Sequence, residues 1–333
     1  MAQPIRIGIA GWGNLGRGAA RALAQQPDMT LAGVYSRRPA EQLPAPLPDA
    51  PVLPWEALTS DDGDTARPDI DVLLLCGGSK TDLPEHGPLL AERFTTVDSY
   101  DTHARIPDYF AAVDGAARRG GRTAIISVGW DPGLFSLTRV LSEAVLPQGE
   151  SYTFWGKGLS QGHSDAVRRV PGVANGVQYT LPAPDAIEAV RAGRRPQLTT
   201  RQKHRRECYV VLSPGADAEE VERAIVTMPD YFADFDTSVH FITAEELERD
   251  HSVMPHGGFV MRSATTGEDT DQLIEYRLEL GSNPEFTASV LVAYARAAHR
   301  MQQSGDHGAK TIFDVPIGLV SPLSAADLRA GYL

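Results

Sequence analysis

At 333 residues, with 42% hydrophobic and 22% charged, the chain has the makeup of a soluble globular protein and is too long for a single core. A net charge of −12 excludes nucleic acid or an anionic membrane surface as the main partner, and no apolar run approaches the ~20 residues of a membrane span. The N-terminus shows no basic n-region, long apolar segment or cleavage site, so a cytoplasmic location is expected.

The apolar run Ile5–Ile9 leads into "AGWGNLGRG" and then an alanine-rich helix. Gly11-x-Gly13-x-x-Gly16 in that strand–turn–helix setting predicts a dinucleotide site. Gly11 makes the tight turn, Gly13 lets backbone approach a pyrophosphate, and Gly16 allows close helix–strand packing. The helix N-terminus then meets the anion with its unpaired N–H groups. About twenty residues on, where an NAD site places a carboxylate for the ribose 2′-OH, the strand Leu31–Tyr35 is followed by Ser36, Arg37 and Arg38. A hydroxyl and two guanidiniums suit a 2′-phosphate, so NADP is the expected cofactor.

Residues 39–68, rich in Pro, Ala and Asp, read as a surface excursion. "DIDVLLLCGGS", "FTTVDSYD" and "RTAIISVGWDPG" read as further strands, with "IPDYFAAVDGAARRG" a helix that stops at Gly120–Gly121. Continuous apolar strands alternating with helices predict a parallel sheet covered on both faces, a Rossmann-like α/β domain over residues 1–130. Beyond about residue 150 the pattern changes. "SYTFWG", "GVQYTLP", "ECYVVLS", "TSVHFIT", "GGFVMRS" and "DQLIEYRLEL" alternate or are β-branched, which predicts an α+β region with a mixed or antiparallel sheet over 131–299. The segment from about 300 to 333 is expected to pack back on the first domain. Cys76 and Cys208 sit in apolar strand-like runs, expected as reduced core thiols, and no metal set is spaced along the chain.

Open α/β sheets bind ligands beyond the carboxyl ends of their strands. Asp101 in "SYD" and Asp131 in "GWDPG" fall there, and each is also a residue type that forms turns and caps. The glycine-rich stretch "FWGKGLSQGHSDAVRRVPG" carries His163 and Asp165, either a catalytic pair or a helix cap at Ser164. In "MPHGG", His256 sits in a glycine-permitted turn.

"GNLGR", "SRR", "SYDTH", "GWDPG", "FWGKGLSQGHSDAVRRVPGV", "QYTLP", "MPDYF" and "MPHGG" together closely resemble the meso-diaminopimelate dehydrogenase family. The resemblance implies NADP-dependent oxidative deamination of meso-2,6-diaminopimelate at its D-centre, with ammonia as co-product, by a cytoplasmic homodimer of lysine and cell-wall precursor biosynthesis. It implies that Asp101 and Asp131 hold the D-centre amine, that Trp130 and Trp155 wall the pocket, and that Gln161 and Gly162 grip the nearby carboxylate. Thr180, Arg206, His256 and Asn283 are the implied clamp on the L end. Nucleotide contacts are implied for Gly13, Asn14, Leu15, Ser36, Arg37 and Arg38, with Cys76, Gly77 and Ser79 along the phosphates and ribose. The second domain would also carry the dimerisation region. The rivals are another two-domain NADP oxidoreductase, acting on other D-amino acids, a sugar or a dihydrodipicolinate, and an NADP-sensing regulator.

Overall fold

The computed structural model describes residues 3–60, 69–268 and 270–333, the side chain of Gln161 aside. In chain order its strands are β1 (Ile5–Ala10), β2 (Met29–Ser36), β3 (Val52–Pro54), β4 (Val72–Leu75), β5 (Thr96–Asp98), β6 (Thr123–Ile125), β7 (Gly149–Trp155), β8 (Gly158–Leu159), β9 (Val173–Pro182), β10 (His204–Leu212), β11 (Asp236–Phe241), β12 (His256–Thr265), β13 (Asp271–Leu280) and β14 (Gly308–Lys310). The chain divides into two compact units, Met1–Leu137 with Pro284–Leu333, and Thr138–Asn283.

The first unit is built on a parallel seven-stranded sheet in the order β14-β6-β5-β4-β1-β2-β3. Strand β4 at its centre is apolar and buried at every position because both faces are covered. Ile7, Ile9, Val72 and Leu74 face a core shared with helix α1 (Asn14–Leu23), while Leu73 and Leu75 face a second core under α2 (Leu83–Ala91) and α3 (Ile106–Gly120). Helix α3 ends where Gly121 takes a left-handed conformation, φ 62°, which an L side chain resists.

Two expectations change here. The long helix Asn283–Gln303 buries Ala288, Leu291, Val292 and Ala295 in the α1-side core, and Leu134 and Leu137 pack against it. Residues 131–137 and 284–299, expected in the second domain, therefore belong to the first. Within the stretch 39–68, Val52–Pro54 pairs with β2 as the edge strand instead of wandering over the surface, and residues 61–68 lie outside those described.

The second unit holds two sheets. One runs β11-β10-β9-β8, with β10 antiparallel to β9 and parallel to β11; the other is the antiparallel set β13-β12-β7. Strand β13 alternates between exposed and half-buried residues, the signature of a sheet with one solvated face. Among the described residues no helix is long and apolar enough to cross a membrane.

Candidate active site

In the first unit β1 runs out at Ala10, Gly11 turns the chain at φ 104°, and α1 begins at Asn14. Each fingerprint glycine has a separate physical reason. A Cβ on Gly11 would lie 3.2 Å from the Cys76 carbonyl oxygen, and one on Gly16 would overlap the carbonyl oxygen of Gly11. A Cβ on Gly13 would meet nothing within 4 Å among the described residues, so its absence leaves room for something outside the protein. Gly13 also caps α1 with no side-chain acceptor, and the first turn carries no acid. The leading N–H groups of α1 and the positive end of its dipole are thus left for an anion. Asn14 and Leu15 supply the first two N–H groups of this helix, while the Asn14 side-chain oxygen accepts from Arg17 at 2.6 Å and Leu15 packs against the core.

A cavity of about 360 Å³ extends from this turn, bounded by Gly11, Gly13, Ser36, Arg37, Arg38, Cys76 and Gly77. The Ser36 hydroxyl accepts the Arg38 N–H at 3.0 Å, which folds the basic pair around the end of β2. Arg37 reaches Asp82 Oδ1 at 3.0 Å, and Asp82 Oδ2 accepts the Gly78 N–H at 2.8 Å. Burial alone would raise the Asp82 carboxyl, but the Gly78 N–H and the Arg37 guanidinium outweigh it and hold it below the usual carboxylate range. Asp82 is a cavity residue the sequence reading missed; its one signal is an acid directly ahead of the helix that starts at Leu83. The open Gly13, the bare helix end and the basic pair at β2 fit a dinucleotide with a 2′-phosphate.

Beyond the cavity, Asp98 ends β5 and is almost fully buried. Its Oδ1 accepts from the Tyr100 N–H at 2.9 Å and the Ser127 N–H at 3.1 Å, and its Oδ2 accepts from the Tyr109 hydroxyl at 2.7 Å. This one carboxylate anchors the loop carrying Asp101 and the loop carrying Trp130 and Asp131. The exposed Asp101 donates its backbone N–H to Ser79 Oγ at 2.8 Å, so Ser79 holds a neighbouring loop in place as well as lying near the cavity. Trp130 is buried edge-on against Phe135, with ring centroids 5.2 Å apart, and leads into the half-buried Asp131.

In the second unit Trp155 closes β7 with its side chain 41% exposed. His204 Nε2 accepts its backbone N–H at 2.9 Å, and burial pulls His204 down to about 4, so the ring is a neutral acceptor. Helix α4 (Gln161–Arg168) is capped by Ser160, whose hydroxyl meets His163 Nδ1 at 2.8 Å. The cap is therefore Ser160 and not Ser164, and His163 makes no pair with Asp165, which bonds Arg168 instead. Gly162 has open space where a Cβ would stand, and the side chain of Gln161 lies outside those described.

Thr180 and Arg206 are register partners on β9 and β10, and Arg206 Nη1 donates to Thr180 Oγ1. The guanidinium lies 3.9 Å from the ring centre of Phe235, only 8% exposed, with no carboxylate paired to it among the described residues. Its Nε is buried without a hydrogen-bond partner, and burial lowers the group to about 10. His256 opens β12, its Nδ1 accepting the Gly257 N–H at 2.8 Å, and the Asn283 N–H donates to the Met254 carbonyl at 2.9 Å.

Residues 129–282 match a family model described as diaminopimelic acid dehydrogenase C-terminal domain. Over 325 residues, 98% of either chain, the sequence is 59% identical to the meso-diaminopimelate D-dehydrogenase of Lysinibacillus sphaericus. It is 46% identical over 326 residues, again 98% of either chain, to the one from Corynebacterium glutamicum. The chain belongs to the meso-diaminopimelate D-dehydrogenase family. Among solved structures, the C. glutamicum DAP dehydrogenase in complex with DAP superposes with a TM-score of 0.88 at 45% identity, over the full length of both chains. An engineered D-amino acid dehydrogenase bound to NADP+ superposes at 0.83 and 43% identity, over 99% of this chain and all of that one.

Within this meso-diaminopimelate D-dehydrogenase scaffold, the first unit holds the residues bounding the cavity, and also Asp101, Trp130 and Asp131. The second gathers Thr180 with Arg206, and Trp155 with His204. Besides Asp82, the sequence reading passed over Asp98 and His204, both buried and both holding backbone rather than facing solvent.

Proposed function

We propose that the chain oxidises the D-configured α-carbon of meso-2,6-diaminopimelate, with NADP as hydride acceptor. The products are ammonia and L-2-amino-6-oxopimelate, which cyclises to tetrahydrodipicolinate. The observation that carries the reading is Arg206: a buried guanidinium that, among the described residues, has no counter-ion and hydrogen-bonds only to Thr180 asks for a carboxylate. In this reading Thr180, Arg206, His256 and Asn283 hold the L-end amino acid, and Gln161 and Gly162 hold the other carboxylate. Trp130 and Trp155 wall the pocket.

NADP+ supplies the acceptor for one hydride at its nicotinamide ring. The fingerprint turn, Ser36, Arg37 and Arg38 bind it, with Cys76, Gly77 and Ser79 alongside. An α-C–H yields hydride only when the neighbouring nitrogen can share its lone pair, so the D-centre ammonium must first lose a proton. Asp101 and Asp131, acceptor-only when ionised, hold that ammonium while it gives its proton to solvent; loss of the hydride to NADP+ then leaves an imine, to which water adds before ammonia leaves. The enzyme acts as a homodimer in the cytoplasm.

Absorbance at the reduced-nicotinamide band tests this. The meso isomer with NADP should give turnover and the LL isomer none. No reduction with the meso isomer, accompanied by turnover of a polyol, would end the proposal. Sedimentation at twice 35.9 kDa is the expected result for the assembly.

A further inference from the structure

Strand β9 carries Gln178 two residues before Thr180, so both side chains project from the same face of the sheet. Gln178 is fully buried, and its partner across the ladder, Cys208, belongs to an apolar cluster with Val167, Val210 and Phe232. A leucine or methionine would fill such a position without desolvating an amide. The amide instead points Nε2 at Thr180 Oγ1, 3.4 Å away, and leaves its own Oε1 buried with no partner among the described residues. Its backbone is fixed from both sides: the N–H donates to Ser164 Oγ at 3.0 Å, and the carbonyl accepts from the Ser160 N–H at 3.1 Å. Gln178 is thereby tied to the start of α4, the helix that opens with Gln161 and Gly162.

A hydroxyl has two acceptor lone pairs and one proton. At Thr180 the lone pairs are taken by Arg206 Nη1 and Gln178 Nε2, and the proton has no acceptor among the described residues. A carboxylate offers only acceptors. We propose that Gln178 is a positioning residue that fixes the Thr180 hydroxyl as a donor, so that Thr180 and Arg206 together present hydrogens to the L-end carboxylate of the substrate. Gln178 touches no substrate itself; it sets which way the Thr180 proton faces. The inference rests on the function proposed above.

The test is a kinetic cycle with meso-2,6-diaminopimelate at saturating NADP, using Gln178→Met, Thr180→Val and the double variant. Gln178→Met should raise KM about fivefold, the loss of one oriented hydrogen bond, with kcat within about twofold of the parent. In the Thr180→Val background the same change should add nothing, because there is no hydroxyl left to orient. Gln178→Asn, which keeps an amide but shortens its reach, should behave as Gln178→Met does and replaces it if the methionine variant fails to fold. If Thr180→Val raises KM but Gln178→Met does not, or if the two effects multiply, the positioning role is wrong while the substrate reading stands. If Thr180→Val leaves KM unchanged, the carboxylate clamp itself falls.

Discussion

Trp155 hands its backbone N–H to Nε2 of His204 at 2.9 Å, and the two rings lie 5.4 Å apart and nearly parallel. The imidazole must be neutral to accept that hydrogen. Burial first, then the charges of Arg206 and Lys203, pull it from 6.5 to about 4. The unfolded chain therefore binds a proton that the folded chain refuses between those two values. Stability contributed here is complete above about pH 6.5 and is lost as pH falls toward 4. Urea midpoints across that range should drop with acid, and the slope should be shallower in His204→Phe; an unchanged slope would remove His204 from the account.

Gly13 and Gly16 differ in what crowds them, and alanine at each should separate nucleotide affinity from folding. Gly16→Ala drives a methyl into the Gly11 carbonyl and should cost about 1–3 kcal/mol of stability, in the manner of an overpacked core. Gly13→Ala meets no protein atom, so its melting temperature should stay near that of the parent while NADP binding weakens. Thermal melts and cofactor titrations on the two variants check this.

Arg37→Ala combined with Arg38→Ala should weaken NADP by about a hundredfold, as two charge-assisted hydrogen bonds at ~1.5 kcal/mol or more each are removed. NAD, which lacks the 2′-phosphate, should lose far less. Equal losses in parallel titrations would contradict the assignment.

Arg206→Met should leave the ligand-free protein at least as heat-stable as the parent, because an uncompensated buried charge is removed. The same change should abolish saturation with meso-2,6-diaminopimelate. Arg206→Lys keeps the charge but not the planar fork, and should cost ~2–5 kcal/mol of substrate binding, read as KM.

Asp131→Asn should depress kcat while NADP affinity, measured by titration, stays intact, since Asp131 lies outside the residues bounding the nucleotide cavity.

Legibility followed range along the chain. The fingerprint turn was readable because its glycines, strand and helix are contiguous, and the basic pair after β2 needed only a count of about twenty residues. Asp98 was not: "VDSYD" offers two acids three residues apart, and only the packing of Tyr109 and Ser127 against the first shows which one is interior. Asp82 likewise depends on the Arg37 guanidinium forty-five residues away. That Arg206 is interior while its neighbour Arg205 is exposed was available from strand periodicity, since His204, Arg206, Cys208 and Val210 share the buried face. Strand β3 stayed hidden because three residues in a proline-rich stretch carry no period of their own.

The Asp98 clasp limits how this enzyme can be retuned. Since both aspartate-bearing loops hang from a single carboxylate with three donors, neither can be reshaped without pulling on the other. Attempts to widen the range of accepted amino acids have more room around Gly162, where an added Cβ meets nothing within 4 Å among the described residues, and beside the exposed indole of Trp155.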